Sequence, residues 1–175
     1  MTSPPVPSCR AARSEAPPPA LPSGWKLPSL RITRDGDWLH DGEDVTHPGI
    51  IANLRENLRH DETGYHLQVG PVRIPVEVDD APYVVIRVAV EGDGAEITLN
   101  DMTREPLALD TLSIDADGVP RCRVKEGRFP ARFSRAAAYQ LLDRIEYDEE
   151  GQRATLVVGS RRHPVTVSSP DARSP

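Results

Sequence analysis

The chain has 175 residues, 21 basic against 27 acidic side chains and a formal charge of −6, which argues against a general nucleic-acid binder. No apolar run approaches membrane-spanning length, and two cysteines, Cys9 and Cys122, make neither a disulfide framework nor a zinc knuckle. A body of this length buries about two-thirds of its unfolded surface, enough for a core without a staple.

Residues 1–28 form a Pro-rich head interrupted at Pro4, Pro5, Pro7, Pro17, Pro18 and Pro19. It has no apolar periodicity and no secretory core, so it is expected to be a disordered tail on a soluble, cytoplasmic protein. The same is expected of residues 168–175.

Leu30 and Ile32 alternate with polar residues up to Asp35-Gly36, and Trp38 and His40 follow. An Asp-Gly pair between alternating runs predicts a hairpin with a type I′ turn. Thr46 is a candidate cap for a helix with Pro48 in its first turn. Ile50, Ile51, Leu54 and Leu58 make its apolar stripe, leaving Asn53, Arg55, Glu56 and Arg59 outside. Gly64 is expected to stop it. Tyr65–Val69 and Val72–Val78 read as strands, and Pro75 makes the second an edge or a bulged strand.

A linking segment, residues 79–111, contains a hairpin. Tyr83 to Val90 is apolar on both faces except at Arg87, as in a central strand, and Ala95 to Leu99 returns after Glu91–Gly94.

The sequence then repeats its opening. Leu30–Gly36 is echoed by Leu112–Gly118, and the strand Pro75-Val76-x-Val78 by Pro164-Val165-x-Val167. Between them, Pro130 reads as a first-turn proline. Phe133, Ala137, Leu141 and Ile145 at four-residue steps predict the second helix, stopped at Glu150-Gly151. The expected architecture is one α+β domain over residues 29–167. It comprises two ββαββ repeats, 30–78 and 112–167, with two main helices on antiparallel sheet around one core.

Several residues carry a family resemblance. They are Gly36-x-Trp38-x-His40-x-Gly42, the helix ending Leu58-Arg59, Gly64-Tyr65-x-Leu67, and above all Ile74-x-Val76-x-Val78-Asp79-Asp80-Ala81-Pro82-Tyr83. Later, Ala131 and Arg135-Ala136-x-x-Tyr139-x-Leu141 fit as well. On these the chain resembles the bacterial family catalogued as domain of unknown function 1285, from about Leu30 to Val167. It has a weaker likeness to a family shared with eukaryotic mitochondria. Leu99 to Pro106 and Asp115 to Glu126 depart from the family's usual form. The resemblance implies a repeated α+β fold and transfers no activity, cofactor or catalytic residue.

Six residues of the shared pattern form the candidate ligand-binding set: Trp38, His40, Asp79, Asp80, Arg135 and Tyr139. Asp79 and Asp80 are adjacent on a strand, so their side chains point apart and do not converge on one atom unless the strand bends. Each is better read as fixing the chain's exit from the strand. The acidic group Asp35, Asp37, Asp41, Glu43 and Asp44 fails the calcium-loop spacing. His40, His47, His60 and His66 contain no helical i, i+4 pair and no cysteine partner, so no metal and no cofactor is expected. Arg121, Arg123, Lys125, Arg128, Arg132 and Arg135 make the second repeat basic, either pairing across the seam or facing an anionic ligand. No Gly-x-Ser-x-Gly or phosphate loop is present. These observations favour a non-enzymatic binding or regulatory module, with a small molecule or a partner protein in the groove between repeats. The alternative is a small metal-assisted or acid–base hydrolase using His40, Asp80 and Arg135.

Overall fold

The computed structural model describes residues 26–150 and 153–168. Most of both expected tails lies outside the described residues, as do Cys9 and Gly151.

The first half forms a six-stranded sheet. Its strands are β1 (Leu30–Ile32), β2 (Trp38–His40), β3 (Glu43–Asp44), β4 (Leu58–Asp61), β5 (Gly64–Val69) and β6 (Val72–Val78), in the order β3-β2-β1-β6-β5-β4. Helix α1 (Pro48–Asn57) joins β3 to β4. The linking segment supplies β7 (Tyr83–Glu91), β8 (Gly94–Leu99) and β9 (Arg104–Pro106). After a short 3-10 turn, the second half supplies β10 (Ser113–Ile114), β11 (Pro120–Val124), β12 (Phe129–Phe133), α2 (Arg135–Leu142), β13 (Ile145–Tyr147), β14 (Ala154–Val158) and β15 (Arg161–Val167). Its nine-stranded sheet runs β13-β14-β15-β10-β11-β12-β7-β8-β9. The fold is α+β, mostly sheet with two helices among the described residues.

Three expectations are corrected. Each half contains three strands on either side of its helix, not two. The sheets are mixed: β1 runs parallel to β6, β10 to β15, and β12 to β7. A parallel pair needs a long crossover, and the helix with its flanking strands provides one between the first and last strands of each half. The linking hairpin is no separate element, because β7 to β9 extend the second sheet. Within it, β7 lies between β12 and β8 and is the central strand that its apolar faces predict.

The prolines also take other positions than expected. Strand β6 is interior, yet Pro75 pairs only with His66 of β5, because the β1 ladder begins at Val76. Pro164 likewise precedes the first β10 pair, at Thr166. Pro130 lies in β12, not in a helix, and sits one residue before the β7 ladder opens at Ala131. In each case the missing N–H faces a side where the neighbouring ladder has not yet begun, so an interior strand accommodates the residue.

Both helices are shorter than their patterns. The N-cap of α1 is His47, whose Nδ1 accepts from the Gly49 N–H at 3.2 Å, one residue later than the expected Thr46. Leu58 begins β4, and Gly64 opens a hairpin strand rather than ending a helix. The Ser134 hydroxyl caps α2 by accepting from the Ala137 N–H, so Phe133 precedes the helix and Ile145 follows it.

One hydrophobic cluster draws on both sheets: Ile32, Trp38, Leu58, Val85, Ile97, Leu99, Phe133, Leu141 and Leu156 are all essentially inaccessible. The turn between β1 and β2 is pinned to it. Gly36 donates to the Thr33 carbonyl and Thr33 donates to Asp37. This is a three-residue loop with glycine in the left-handed position (φ 85°), not the expected type I′ turn. Asp115, Gly118 and Val119 reproduce both bonds in the second half.

The two glycines differ in surroundings. A Cβ on Gly36 would stand 2.2 Å from Asn100 Nδ2, and that amide bridges the Gly36 carbonyl and the Val84 N–H. Around Gly118 the space is open. Gly36→Ala is therefore expected to lower stability by about 2–4 kcal/mol, from the left-handed backbone plus the clash. Gly118→Ala should cost only the backbone share, about 1–2 kcal/mol. Urea midpoints of the two variants check the order.

Candidate functional site

Asp79 and Asp80 end the sixth strand's run and point apart. Asp79 accepts from Arg31 Nε of β1 at 2.7 Å. Asp80 accepts from Arg121 Nη1 of β11 at 2.6 Å and lies 3.5 Å from Arg132 Nε of β12. Arg121 is also held by Asp115 at 2.7 Å. Adjacent carboxylates thus tie one residue pair into each half. Asp80→Asn is expected to lower stability by about 1–2 kcal/mol, because it leaves Arg121 and Arg132 without their shared anion. Asp79→Asn, on the exposed side, should leave the denaturation midpoint nearly unchanged.

A cleft of about 640 Å³ opens between the halves. Helix α1 contributes Ile51, Ala52 and Arg55; Leu58 and Arg59 follow; the turn from β8 to β9 contributes Asn100 to Thr103. The floor is Tyr83 and Phe129, whose rings lie 5.4 Å apart at 53°. The turn from β11 to β12 closes it with Lys125 and Arg128.

Its charges are unevenly satisfied. Lys125 Nζ lies 2.9 Å from Asp101, donates to Thr103 Oγ1 at 2.6 Å, and stands 5.3 Å from the Tyr83 ring centroid. Burial opposes ionisation of Asp101, but donors from Thr103 and Lys125 outweigh it and hold the carboxyl below its usual range. Arg59 and Arg128 donate to backbone carbonyls. Arg55 is half-buried, and its Nε is enclosed without a hydrogen-bond partner. Burial is the main influence on its guanidinium and lowers its pKa. The helix pattern put Arg55 outside; the structure places it on the cleft wall beside Ile51 and Ala52 of the same helix.

Backbone strain falls in part on the same walls, at Met102 and Lys125. Among the described residues, left-handed backbone at non-glycine residues occurs at Asp41, Met102, Lys125 and Glu126. Met102 (φ 65°) makes the same two turn bonds as Gly36, N–H to Leu99 and Leu99 to Thr103, in a place where glycine carries no Cβ penalty.

The six candidate residues do not converge here. Trp38 is 1% exposed in the core, which removes it from any binding surface. His40 is exposed at the end of β2, with Nδ1 3.7 Å from Asp41. Neither lines this cleft or the two smaller hollows, and Asp79 lines none of the three. Arg135 and Tyr139 do meet, in a separate hollow that also contains Arg132, the partner of Asp80. A catalytic group of His40, Asp80 and Arg135 has no shared hollow. The other histidines serve locally: His47 caps α1, His60 stacks on Tyr65 at 4.3 Å, and buried His66 accepts from Arg73. Burial pushes the Cys122 thiol up to about 12, so it is no nucleophile. No group of three His, Cys, Asp or Glu side chains able to hold a metal occurs among the described residues. Of the cleft residues, Lys125 and Arg128 belong to the basic run already singled out. Arg55, Asp101 and Met102 carried no signal in the sequence.

No family profile matches the sequence, and no curated protein does. Two solved structures are similar. A DUF1285 family protein from Silicibacter pomeroyi DSS-3 is 26% identical, with a TM-score of 0.64 over 79% of each chain. A DUF1285 family protein from Shewanella baltica OS155 is 17% identical, with a TM-score of 0.57 over 67% of this chain and 92% of the other, and shares the fold. No helix among the described residues is long and apolar enough to cross a membrane. With the Asp79-Asp80-Ala81-Pro82 seam joining two mixed sheets, and with these neighbours, the chain carries a DUF1285-like domain.

Proposed function

We propose that this domain is a non-enzymatic binding module whose inter-half cleft takes a small amphipathic anion. The observation that carries this reading is Arg55: a partly desolvated cation whose Nε has no acceptor, on the wall of a cleft floored by aromatic rings. An ionised donor left without a partner costs more than a neutral one, and an incoming carboxylate or phosphate relieves that cost. Half-buried Ile51 and the edges of the largely buried Tyr83 and Phe129 rings line the cleft on its apolar side, and the volume falls within the usual range for small-ligand sites.

The two halves are read as copies of one unit, supported by the matching orders β3-β2-β1-β6-β5-β4 and β12-β11-β10-β15-β14-β13. The cleft then lies where two copies of a structural scaffold meet, and function resides in residues the copies do not share. A cytoplasmic location belongs to the same reading, with Cys122 free and buried.

The test is a thermal-shift panel of aryl carboxylates and phosphate esters on the full chain. At least one member is expected to raise the midpoint in proportion to RT ln(1 + [L]/Kd). Arg55→Met should abolish that rise, while the unliganded variant melts no lower than the wild type. A panel without effect, or equal responses from both proteins, overturns the reading. Met102→Gly separates strain from stability: relieving the left-handed backbone is expected to raise unliganded stability by about 1 kcal/mol. It should also weaken the ligand's effect, since the side chain at the cleft rim is removed.

A further inference from the structure

The hollow that brings Arg135 and Tyr139 together lies at the other end of β12 from the cleft. Phe129 opens that strand at the cleft, and Arg132 and Phe133 close it at the hollow, about 10–13 Å further along. The hollow encloses about 390 Å³.

Three arginines line it from three elements. Arg34 comes from the β1–β2 turn of the first half, Arg132 from β12, and Arg135 from the first turn of α2. Only Arg132 is committed: its side chain is 13% exposed, its Nε lies 3.5 Å from Asp80, and its Nη1 donates to the Arg34 carbonyl at 3.4 Å. That Nε is buried and makes no hydrogen bond. The Arg34 and Arg135 guanidinium groups have no carboxylate partner among the described residues. Asp117 is the one carboxylate on the lining, and it has an interaction of its own.

With Arg132 already beside Asp80, Arg34 and Arg135 are the two cations left facing the hollow, and an anion between them would relieve their repulsion. Planar guanidinium donors match a tetrahedral oxyanion better than a single ammonium does. On α2, Arg135 and Tyr139 stand four residues apart and so share a face, with the Tyr139 ring 68% exposed beside Ala138. That ring gives the hollow a flat apolar side next to its charged one. We propose that this hollow is a second ligand site, for the phosphate or sulfate monoester group of a small aryl-bearing molecule. It is separate from the cleft and does not depend on the cleft being occupied.

Phenyl phosphate, phenyl sulfate, inorganic phosphate and benzoate are the probes, titrated calorimetrically into the full chain and into Arg55→Met, in which the cleft is silenced. Phenyl phosphate or phenyl sulfate is expected to bind saturably to both proteins, tighter than inorganic phosphate and tighter than benzoate. The better of the two esters identifies the anion. Arg34→Gln and Arg135→Gln should each weaken ester binding about tenfold or more, as loss of a charge-assisted bond predicts. Both residues are exposed, so neither change disturbs the core. Tyr139→Ala should weaken the aryl esters and leave inorganic phosphate unchanged. Absence of saturable ester binding in Arg55→Met overturns the proposal, as does undiminished binding in Arg34→Gln and Arg135→Gln. Failure of the cleft reading leaves these outcomes unaffected, because none of them requires a ligand to bind at Arg55.

Discussion

The divergence of Asp79 and Asp80 is what joins the halves. Neighbouring side chains at the end of a strand face opposite ways, so one carboxylate takes Arg31 in the first sheet while the other takes Arg121 and Arg132 in the second. The two sides are not equal in weight. Arg31 and Asp79 are solvated, and such pairs add little to stability. Asp80 is largely enclosed and serves two arginines, so its charge is needed where it stands. Ala81 and Pro82 follow, both buried, and carry the chain into β7, an interior strand of the second sheet. A seam made this way fixes the angle at which the halves meet, and with it the shape of both hollows between them.

Much of this architecture was readable from the residues, and the errors have specific causes. The hairpins at Gly36 and Gly118, the central strand β7 and the existence of both helices followed from alternation, glycine placement and apolar spacing. The helix limits did not, because a step of four residues satisfies both a 3.6-residue and a two-residue period. Phe133, Ala137, Leu141 and Ile145 show the ambiguity: only the middle two lie in α2 and the outer two lie in strands. Pro75, Pro130 and Pro164 misled in a related way. Pro75 reads as an edge or a bulge, Pro130 as a helix start and Pro164 as the echo of Pro75, whereas each lies just before a parallel neighbour begins. That depends on register, which a single sequence does not display.

The site was less legible than the fold. Trp38 of the shared pattern lies enclosed in the core. Arg55 looked like a solvated helix residue, since the periodic pattern of α1 gives one apolar stripe and treats the remainder as surface. The tertiary setting reverses this, because the turn carrying Asn100 to Thr103 comes across from the linking segment and half-covers it. Contacts between segments so far apart in sequence leave no local trace.

What separates the cleft from the rest of the molecule is where local rules are broken. Apart from Asp41 and Glu126, the described turns elsewhere use glycine for left-handed backbone, and enclosed carboxylates such as Asp80 and Asp115 meet cations. At the cleft, Met102 and Lys125 hold left-handed backbone with side chains attached, and Arg55 keeps an enclosed donor without an acceptor. Trp38 Nε1 and His163 Nε2 are also enclosed and unpartnered, but each can be neutral, and a neutral group costs less to bury than an ionised one. Arg132 Nε, at the second hollow, is the remaining charged case, and Asp80 stands beside it. Sequences tend toward consistency between local preference and global fold, and departures that persist together point to a demand other than folding. Here a strained wall and an unsatisfied cation face the same opening, and an anion is the species that would satisfy it.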